Sequence, residues 1–130
     1  MKTSAMKQTI TFKTTPHEVF ECLMDSKKHE EFSGDPAEIN RKVGGTFSAY
    51  GGYCYGRNLE LVKDKKIVQT WRATDWPEGH FSTVSFTFAR VKDGTKMTFT
   101  QKGIPPGELN SIKEGWNDFY WKPMKKTLEQ

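Results

Sequence analysis

One short segment of the chain brings together residue types that could do acid–base chemistry. Arg72, Asp75, Glu78 and His80 lie close to one another in sequence. A histidine near carboxylates can transfer protons at neutral pH, so this segment could form a general acid–base site at the mouth of a cleft. However, loops are commonly polar, and no Ser or Cys stands in a nucleophile motif. His80 follows Gly79 at a predicted strand start, which favours a structural hydrogen bond. We therefore predict no catalytic residue and no enzymatic activity.

Residues that could hold a metal or cofactor are few and scattered. Cys22 and Cys54 are the only cysteines, and neither belongs to a Cys-x-x-Cys pair or has a histidine partner at ligand spacing. The three histidines are far apart, and the acidic residues show no metal-ligand spacing. The glycines match neither GxGxxG nor GxxxxGK[ST], so they predict turns and bends of a sheet rather than a phosphate-binding loop. The sequence predicts neither a metal nor a cofactor.

Composition narrows the class of protein further. The 130 residues fit one domain, 1–130, large enough for a single core. The net charge of +4 is spread along the chain apart from Lys122, Lys125 and Lys126, and no dense basic stripe interleaved with aromatics appears outside the terminal helix, which argues against a nucleic-acid partner. The start is polar and no run is long enough to span a bilayer, so neither a secretory signal nor a membrane is predicted. With two unpaired cysteines, the chain is expected to be reduced and cytoplasmic.

The first elements are marked by clear local signals. Alternation over residues 9–13 predicts the first strand. Thr15, Pro16 and Glu18 then mark a helix start, because they combine a cap, a proline at the first helical position and the spacing of a capping box. A second short helix is expected over residues 26–32, with its first residue as the cap.

After these helices the pattern changes from a period of 3.6 to a period of 2. Glycine-rich and charged turns separate six further predicted strands, at 37–40, 46–50, 53–62, 66–72, 81–90 and 95–101. A long terminal helix is expected from Ser111 to Leu128, with Ser111 and Glu114 at capping-box spacing. Pro123 lies inside it and is expected to bend its axis. One stripe of this helix must be covered by another layer: Ile112, Trp116, Phe119, Tyr120, Met124 and Leu128.

This order of elements predicts an α+β fold, with helices on one face of a curved antiparallel sheet. It resembles the helix-grip fold of the START and birch-pollen-allergen superfamily (SRPBCC), in which the sheet wraps around a long C-terminal helix. Several segments also resemble the C-terminal domain of the activator of heat shock protein 90 ATPase family. They are 43–47, 56–60, 67–72, 76–81 (Trp-Pro-Glu-Gly-His-Phe), 103–105 and 115–116 (Gly-Trp). The resemblance runs from about residue 9 to residue 128.

The resemblance leaves two functions open, because the family divides. It implies a stress-related, non-enzymatic co-chaperone that binds heat shock protein 90 and modulates its ATPase. In eukaryotic co-chaperones this domain follows a separate N-terminal domain, which 130 residues cannot also contain. The alternative is a binding protein for a small apolar ligand held between the terminal helix and the sheet, as in other members of the superfamily.

Each function suggests its own residues. Trp71, Trp116 and Tyr120 could line an apolar cavity of several hundred cubic ångströms, or they could be ordinary core. The full set of candidate ligand contacts is Phe47, Trp71, Phe86, Met97, Phe99, Trp116 and Tyr120. The candidate contacts for an acidic partner are Lys122, Lys125 and Lys126, although cations in the last turns of a helix also complement its dipole.

Overall fold

A computed structural model describes residues 2–129 of the chain. In this part an antiparallel sheet has seven strands: β1 (Ser4–Phe12), β2 (Glu38–Ile39), β3 (Thr46–Ala49), β4 (Cys54–Val62), β5 (Lys66–Ala73), β6 (Ser82–Val91) and β7 (Gly94–Ile104). The helices are α1 (Pro16–Met24), α2 (Ser26–Ser33), α3 (Leu109–Trp116) and α4 (Lys122–Leu128). A π-helical turn, Asn117–Trp121, joins α3 to α4, and a 3₁₀ turn, Tyr50–Gly52, precedes β4. The predicted α+β fold, with its two short helices after the first strand, is confirmed.

The sheet order is β1-β7-β6-β5-β4-β3-β2, and every neighbouring pair is antiparallel. Its strands curve around the helical stretch 109–128. Gly56 permits one close approach between strands, because a Cβ atom there would lie 1.8 Å from the Thr70 carbonyl oxygen. Only glycine fits at this position. Further along the same strand, β4 shifts register against β5 between Asn58 and Glu60.

A side chain caps the N-terminus of each of the two short helices. The Thr15 hydroxyl accepts a hydrogen bond from the Glu18 N–H, which confirms the predicted cap of α1. The predicted cap of α2 is wrong, because the Asp25 carboxylate accepts from the Lys28 N–H at 2.9 Å. Ser26 has another partner, since its hydroxyl accepts from the N–H of Ile39 at 2.9 Å. Asp25 thus ends α1 and starts α2.

The C-terminal helix begins two residues earlier than predicted. It starts at Leu109, Glu108 makes no side-chain cap, and Ser111 is already inside the helix. The predicted capping box at Ser111 is therefore wrong. Pro105 and the turn after it already set the chain direction, since the Glu108 N–H donates to the Pro105 carbonyl.

The buried stripe of this helix differs from the prediction at one position. Phe119 is 60% exposed, whereas Trp121 is only 3% exposed and takes its place in the core. The cause is the π-helical turn, in which the Lys122 N–H bonds the Asn117 carbonyl, five residues back. This wider turn shifts the buried face by about one residue. Ile112, Trp116, Tyr120 and Met124 are buried as predicted, and Leu128 packs partly buried against the core.

Trp116 is the centre of the core between helix and sheet. Its ring lies 4.5 Å from the Phe99 ring and 6.0 Å from the Phe86 ring, centroid to centroid. Its indole N–H donates to the buried Gln101 side chain at 2.8 Å. Gln101 in turn donates to the Ser82 hydroxyl at 2.9 Å, and Ser82 donates to the Trp71 carbonyl at 2.8 Å. A continuous buried hydrogen-bond chain therefore fixes the helix on the sheet.

Candidate functional site

A pocket of about 310 Å³ lies between the C-terminal helix and the sheet. The helix contributes Ser111, Ile112, Gly115, Trp116, Phe119 and Tyr120 to its wall. The 3₁₀ turn contributes Tyr50, the residue after it is Tyr53, and strands β4 and β5 contribute Cys54 and Trp71. Tyr53 and Phe119 are large exposed rings, so they form the rim of the pocket.

Three polar groups of the wall meet at Cys54. The Tyr120 hydroxyl and the Trp71 indole N–H both lie close to its sulfur. Burial raises the pKa of the Cys54 thiol to about 12, and these two groups only partly oppose the shift. Burial also raises the pKa of the Tyr120 hydroxyl well above its usual value of 10. Both groups are therefore protonated and neutral at pH 7, and the pocket offers no activated nucleophile.

Tyr120 also contacts a polar residue outside the pocket. Its hydroxyl lies 3.2 Å from Nε2 of His29, a buried histidine of α2. The His29 ring also packs 4.5 Å from the ring of Phe32. Burial lowers the pKa of His29 to about 4, so its imidazole is neutral at physiological pH.

The indole N–H of Trp71 has no hydrogen-bond partner among the described residues. Trp71 is 5% exposed and packs between Trp76 and Trp116, at centroid distances of 5.2 and 5.6 Å. The nearby sulfur of Cys54 is only a weak acceptor. A buried donor without an acceptor is unfavourable and uncommon in folded proteins.

Gly115 forms part of the pocket wall from the interior of α3. A Cβ atom built on it would meet nothing within 4 Å. Glycine inside a helix is less stable than alanine by about 1 kcal/mol, and close packing does not require it here. The missing side chain leaves space in the pocket.

The structure separates the predicted ligand contacts into three groups. Trp71, Trp116 and Tyr120 line the pocket. Phe47 and Phe86 instead line a small void of about 20 Å³ on the inner side of the same three rings. Met97 and Phe99 are fully buried core residues of β7 and line neither space.

Seven residues of the pocket wall are not among the predicted ligand contacts: Tyr50, Tyr53, Cys54, Ser111, Ile112, Gly115 and Phe119. Tyr50 and Tyr53 flank the Gly51-Gly52 pair, which indicated only a turn, and Cys54 was judged only as a metal or redox residue. Gly115 was noted only as part of a family motif. A glycine inside an otherwise regular helical pattern is the signal that could have located the pocket.

The polar segment around His80 is structural. The buried Arg72 guanidinium donates to the carbonyls of Trp76, Pro77 and His80 and to the Tyr55 hydroxyl. The predicted structural role of His80 is confirmed, because its Nε2 lies 2.7 Å from the Gly103 carbonyl oxygen. Asp75 and Glu78 are exposed and do not join this network.

Lys122, Lys125 and Lys126 are all exposed on the last turns of the helix. Lys122 forms an ion pair with Asp118, one turn earlier, at 3.2 Å. Lys125 and Lys126 form no ion pair within residues 2–129. Together the three lysines form a cationic surface, called here the lysine surface.

One group of potential metal ligands lies outside the pocket, where His17, Glu21 and Asp64 converge. Glu21 accepts two hydrogen bonds from Arg41, at 2.6 and 2.8 Å, and these lower the pKa of its carboxyl group. His17 pairs with Asp64 at 3.0 Å. The grouping is explained by these two side-chain pairs.

Comparison with known proteins decides the family. The sequence profile described as "Activator of Hsp90 ATPase homolog 1-like protein" matches residues 13–129. The chain belongs to this family. The family predicted from the sequence is thus confirmed. None of the helices described in residues 2–129 is both long and apolar enough to cross a membrane.

Relatives in this family are named as activators of another protein's ATPase. The human activator of 90 kDa heat shock protein ATPase homolog 1 is 33% identical over 118 residues, which are 91% of this chain and 35% of the human protein. The Dictyostelium discoideum homologue is 34% identical over 127 residues, 97% of this chain and 33% of the relative. The chain thus spans about a third of the length of these curated relatives.

A solved structure matches over a full domain. The crystal structure of an HSP90 activator from Plasmodium falciparum has a TM-score of 0.91 and is 31% identical. The match covers 96% of each chain. The helix-grip architecture of this family is therefore the architecture of this chain.

Proposed function

We propose that this domain binds heat shock protein 90 in the cytoplasm and modulates its ATPase cycle, as a stress-related, non-enzymatic co-chaperone. The observation that carries the proposal is the match to the P. falciparum HSP90 activator, which covers 96% of both chains at a TM-score of 0.91. The neutral Cys54 and Tyr120 in the pocket also favour a binding role over a catalytic one.

The lysine surface is the proposed contact with the chaperone. Lys125 and Lys126 have no ion-pair partner in the described chain, so an acidic surface can approach them without breaking an internal pair. Lys122 would exchange its exposed pair with Asp118, which contributes little to stability because both groups are in solvent. Charge complementarity of this kind raises the association rate and makes binding sensitive to salt.

The test is a steady-state assay of the ATPase of purified heat shock protein 90, with and without this domain, together with a direct binding measurement. We expect the domain to bind and to change the ATPase rate. Reversing the lysine surface with K122E, K125E and K126E should weaken binding about tenfold at low salt, and less at high salt. No binding and no change in rate with the unaltered domain would overturn the proposed function.

A matched control is available on the other side of the sheet. Lys7, Lys96 and Lys102 are exposed on β1 and β7, and each is adjacent in sequence to a residue that faces the core. K7E, K96E and K102E change the net charge by the same amount on the outer face. We expect this variant to bind nearly as well as the unaltered domain. Equal loss in both triple variants would contradict the lysine surface as the contact.

A second candidate function, carriage of a small apolar molecule, is favoured by one observation. A pocket of about 310 Å³ with Trp71, Trp116 and Tyr120 in its wall lies between helix and sheet. A pocket of this volume is at the lower end of the range for small-molecule sites.

A further inference from the structure

We propose that the pocket between the C-terminal helix and the sheet binds a small organic cation with a methylated ammonium group, held against the aromatic wall by cation–π interactions. This ligand class differs from the small apolar molecule of the second candidate function, because here the pocket recognises the positive charge itself. Binding of such a cation does not depend on binding to heat shock protein 90, so either proposal can fail while the other stands.

Aromatic side chains form most of the pocket wall: Tyr50, Tyr53, Trp71, Trp116, Phe119 and Tyr120. Neighbouring rings are close enough for one cation to contact several of them. The centroid distances are 4.4 Å from Trp116 to Tyr120, 5.4 Å from Tyr120 to Tyr50, and 5.9 Å from Tyr50 to Phe119. The face of such a ring attracts a cation within about 6 Å of its centre, and tryptophan does so most strongly.

The rings of the pocket have no cationic partner within residues 2–129. In this part of the chain the guanidinium of Arg72 lies over the rings of Tyr55 and Phe81, and neither ring lines the pocket. His29 contacts the ring of Tyr120, but burial lowers the pKa of this imidazole to about 4, so it is uncharged at pH 7. The aromatic wall is therefore free to receive a cation from outside.

Two carboxylates lie beside Tyr53 at the rim of the pocket. Asp75 follows Thr74, whose backbone N–H donates to the Tyr53 carbonyl at 2.9 Å, and Glu108 directly precedes α3. Burial first, and then the acidic groups of Asp75, Cys54 and Glu108, raise the pKa of the Tyr53 hydroxyl. A field that disfavours a negative charge at this point favours a positive one.

A third carboxylate, Asp35, lies beside Tyr50. It precedes Pro36, whose carbonyl accepts from the Gly51 N–H at 3.0 Å, so the chain at Asp35 is adjacent to the 3₁₀ turn. Burial first, and then the acidic groups of Cys54 and Asp35, raise the pKa of the Tyr50 hydroxyl. The field at this second tyrosine of the wall therefore has the same sign as the field at the rim.

These three side chains, Asp35, Asp75 and Glu108, are called here the mouth carboxylates. None of them forms an ion pair within residues 2–129. Lys122 follows Phe119 of the rim by three residues, but its ammonium pairs with Asp118 at 3.2 Å. The mouth carboxylates therefore attract a cation to the pocket and repel an anion.

Gly115 provides space for the ligand. It lies in the interior of α3, where glycine is the poorest helix former after proline, and a Cβ atom built on it would meet nothing within 4 Å. Close packing therefore does not require glycine here. The resulting pocket of about 310 Å³ is at the lower end of the range for small-molecule sites, so the ligand must be small.

A cation and its neutral isostere separate recognition of charge from recognition of shape. Choline has a trimethylammonium group, whereas 3,3-dimethyl-1-butanol has a carbon atom in place of the nitrogen and no charge. Phosphocholine adds a phosphate, as in the head group of a choline lipid. We expect choline to bind about tenfold more tightly than 3,3-dimethyl-1-butanol. Phosphocholine should bind more weakly than choline, because the mouth carboxylates repel its phosphate.

The experiment is an NMR titration of the unaltered domain with each of the three probes. Ring currents of the aromatic wall should move the N-methyl proton signal of choline upfield, and the indole N–H signal of Trp116 should shift along the titration. Absence of choline binding, or equal or tighter binding of 3,3-dimethyl-1-butanol, would overturn the proposal. Phosphocholine binding as tight as that of choline would contradict the role of the mouth carboxylates and indicate a lipid head group as the source of the cation.

Variants at Gly115 locate the probe. G115L should fill the space and reduce choline affinity by about tenfold, while G115A should fold normally and retain most of the affinity. Undiminished affinity in a folded G115L variant would place choline elsewhere and contradict the proposal. If G115L does not fold, the comparison of choline with its isostere in the unaltered domain still decides.

A double variant tests the charges at the rim. D75N with E108Q should lower choline affinity about threefold at low salt and leave 3,3-dimethyl-1-butanol affinity unchanged. The matched control is E60Q with D93N, which removes the same charge from two exposed side chains that do not line the pocket. We expect the control to bind choline nearly as well as the unaltered domain. Equal losses in the two double variants would contradict attraction by the mouth carboxylates.

Discussion

The hydroxyl of Tyr50 donates a hydrogen bond to the backbone carbonyl of Phe119. In a regular α-helix this carbonyl would accept from residue 123, but Pro123 has no N–H to donate. Tyr50 thus satisfies a helix carbonyl that proline leaves free. Its own backbone has a φ of 54°, a left-handed conformation that is uncommon for a residue with a side chain. The 3₁₀ turn and the π-helical turn are therefore held together by one side chain.

Replacing this hydroxyl should destabilise the domain by about 1 kcal/mol, the usual net value of one hydrogen bond. The variant is Y50F, which keeps the ring against Phe119 and Tyr120. The measurement is the free energy of unfolding from urea titration of Y50F and of the unaltered domain. The m-value, which is the slope of this free energy against urea concentration, should be equal in the two proteins if the unfolding transition is unchanged.

Pro123 provides the partner variant for a double-mutant cycle. P123A restores an N–H that can bond the Phe119 carbonyl within the helix. In the P123A background Y50F should cost clearly less than in the unaltered chain, which gives a coupling energy of about 0.5 to 1 kcal/mol. Independent, additive effects would show that the proline and the tyrosine do not serve the same carbonyl.

Acid should destabilise the domain through His29. Burial lowers the pKa of this imidazole from 6.5 to about 4, so between these values the unfolded chain binds a proton that the folded chain does not. The contribution is fully present above pH 6.5 and is lost as the pH falls toward 4. We expect the free energy of unfolding to fall by about 2 kcal/mol between pH 6.5 and pH 5.

The control for this pH dependence is H29F, which replaces the imidazole with a ring that cannot titrate. The position packs against Phe32, Tyr50 and Tyr120, so a phenyl ring suits its surroundings. In H29F the free energy of unfolding should change little between pH 6.5 and pH 5. Glu21 does not interfere, because its carboxyl pKa is lowered and its contribution is lost only below pH 4.5. An unchanged slope would mean that another group causes the acid sensitivity.

Removing the amide of Gln101 should be among the more damaging substitutions. Q101M keeps the shape but leaves the Trp116 indole N–H without its buried acceptor and removes the hydrogen bond that the Ser82 hydroxyl accepts. We expect a loss of about 2 to 4 kcal/mol in urea unfolding, because unsatisfied buried donors are costly. The neighbouring K102M, on the exposed side of β7, should change stability by less than about 0.5 kcal/mol. Similar losses in both variants would contradict this account.

Local sequence signals predicted most of the fold. Alternation located the long strands. Thr15 as the cap and Pro16 as the first helical residue marked the start of α1, because capping is a property of neighbouring residues. The same rule failed at Ser26 and Ser111. Asp25, immediately before Ser26, caps α2 in its place. The turn before Leu109 sets the start of the last helix without a side-chain cap.

Sequence alone could not give the details of the pocket. Helical periodicity assumes an α-helix throughout, so the π-helical turn exchanged the places of Phe119 and Trp121. Pro123 was the available signal, but it predicted a bend rather than a π turn. Trp76 looked like a loop residue and is buried against Trp71. Such contacts depend on which strands pair, which periodicity does not specify.

The pairing of β1 with β7 has a consequence for how the chain acquires this fold. Ile10 lies opposite Met97, and Met6 lies opposite Gln101, across almost the whole length of the sequence. Such distant pairings close large loops and slow folding, whereas the β6–β7 hairpin is local and can form early. During synthesis β1 must wait for its partner until β7 has emerged from the ribosome. Until the last helix then docks, the aromatic inner face of the sheet has no cover, so the nascent domain is most prone to aggregation between the emergence of β7 and the docking of that helix.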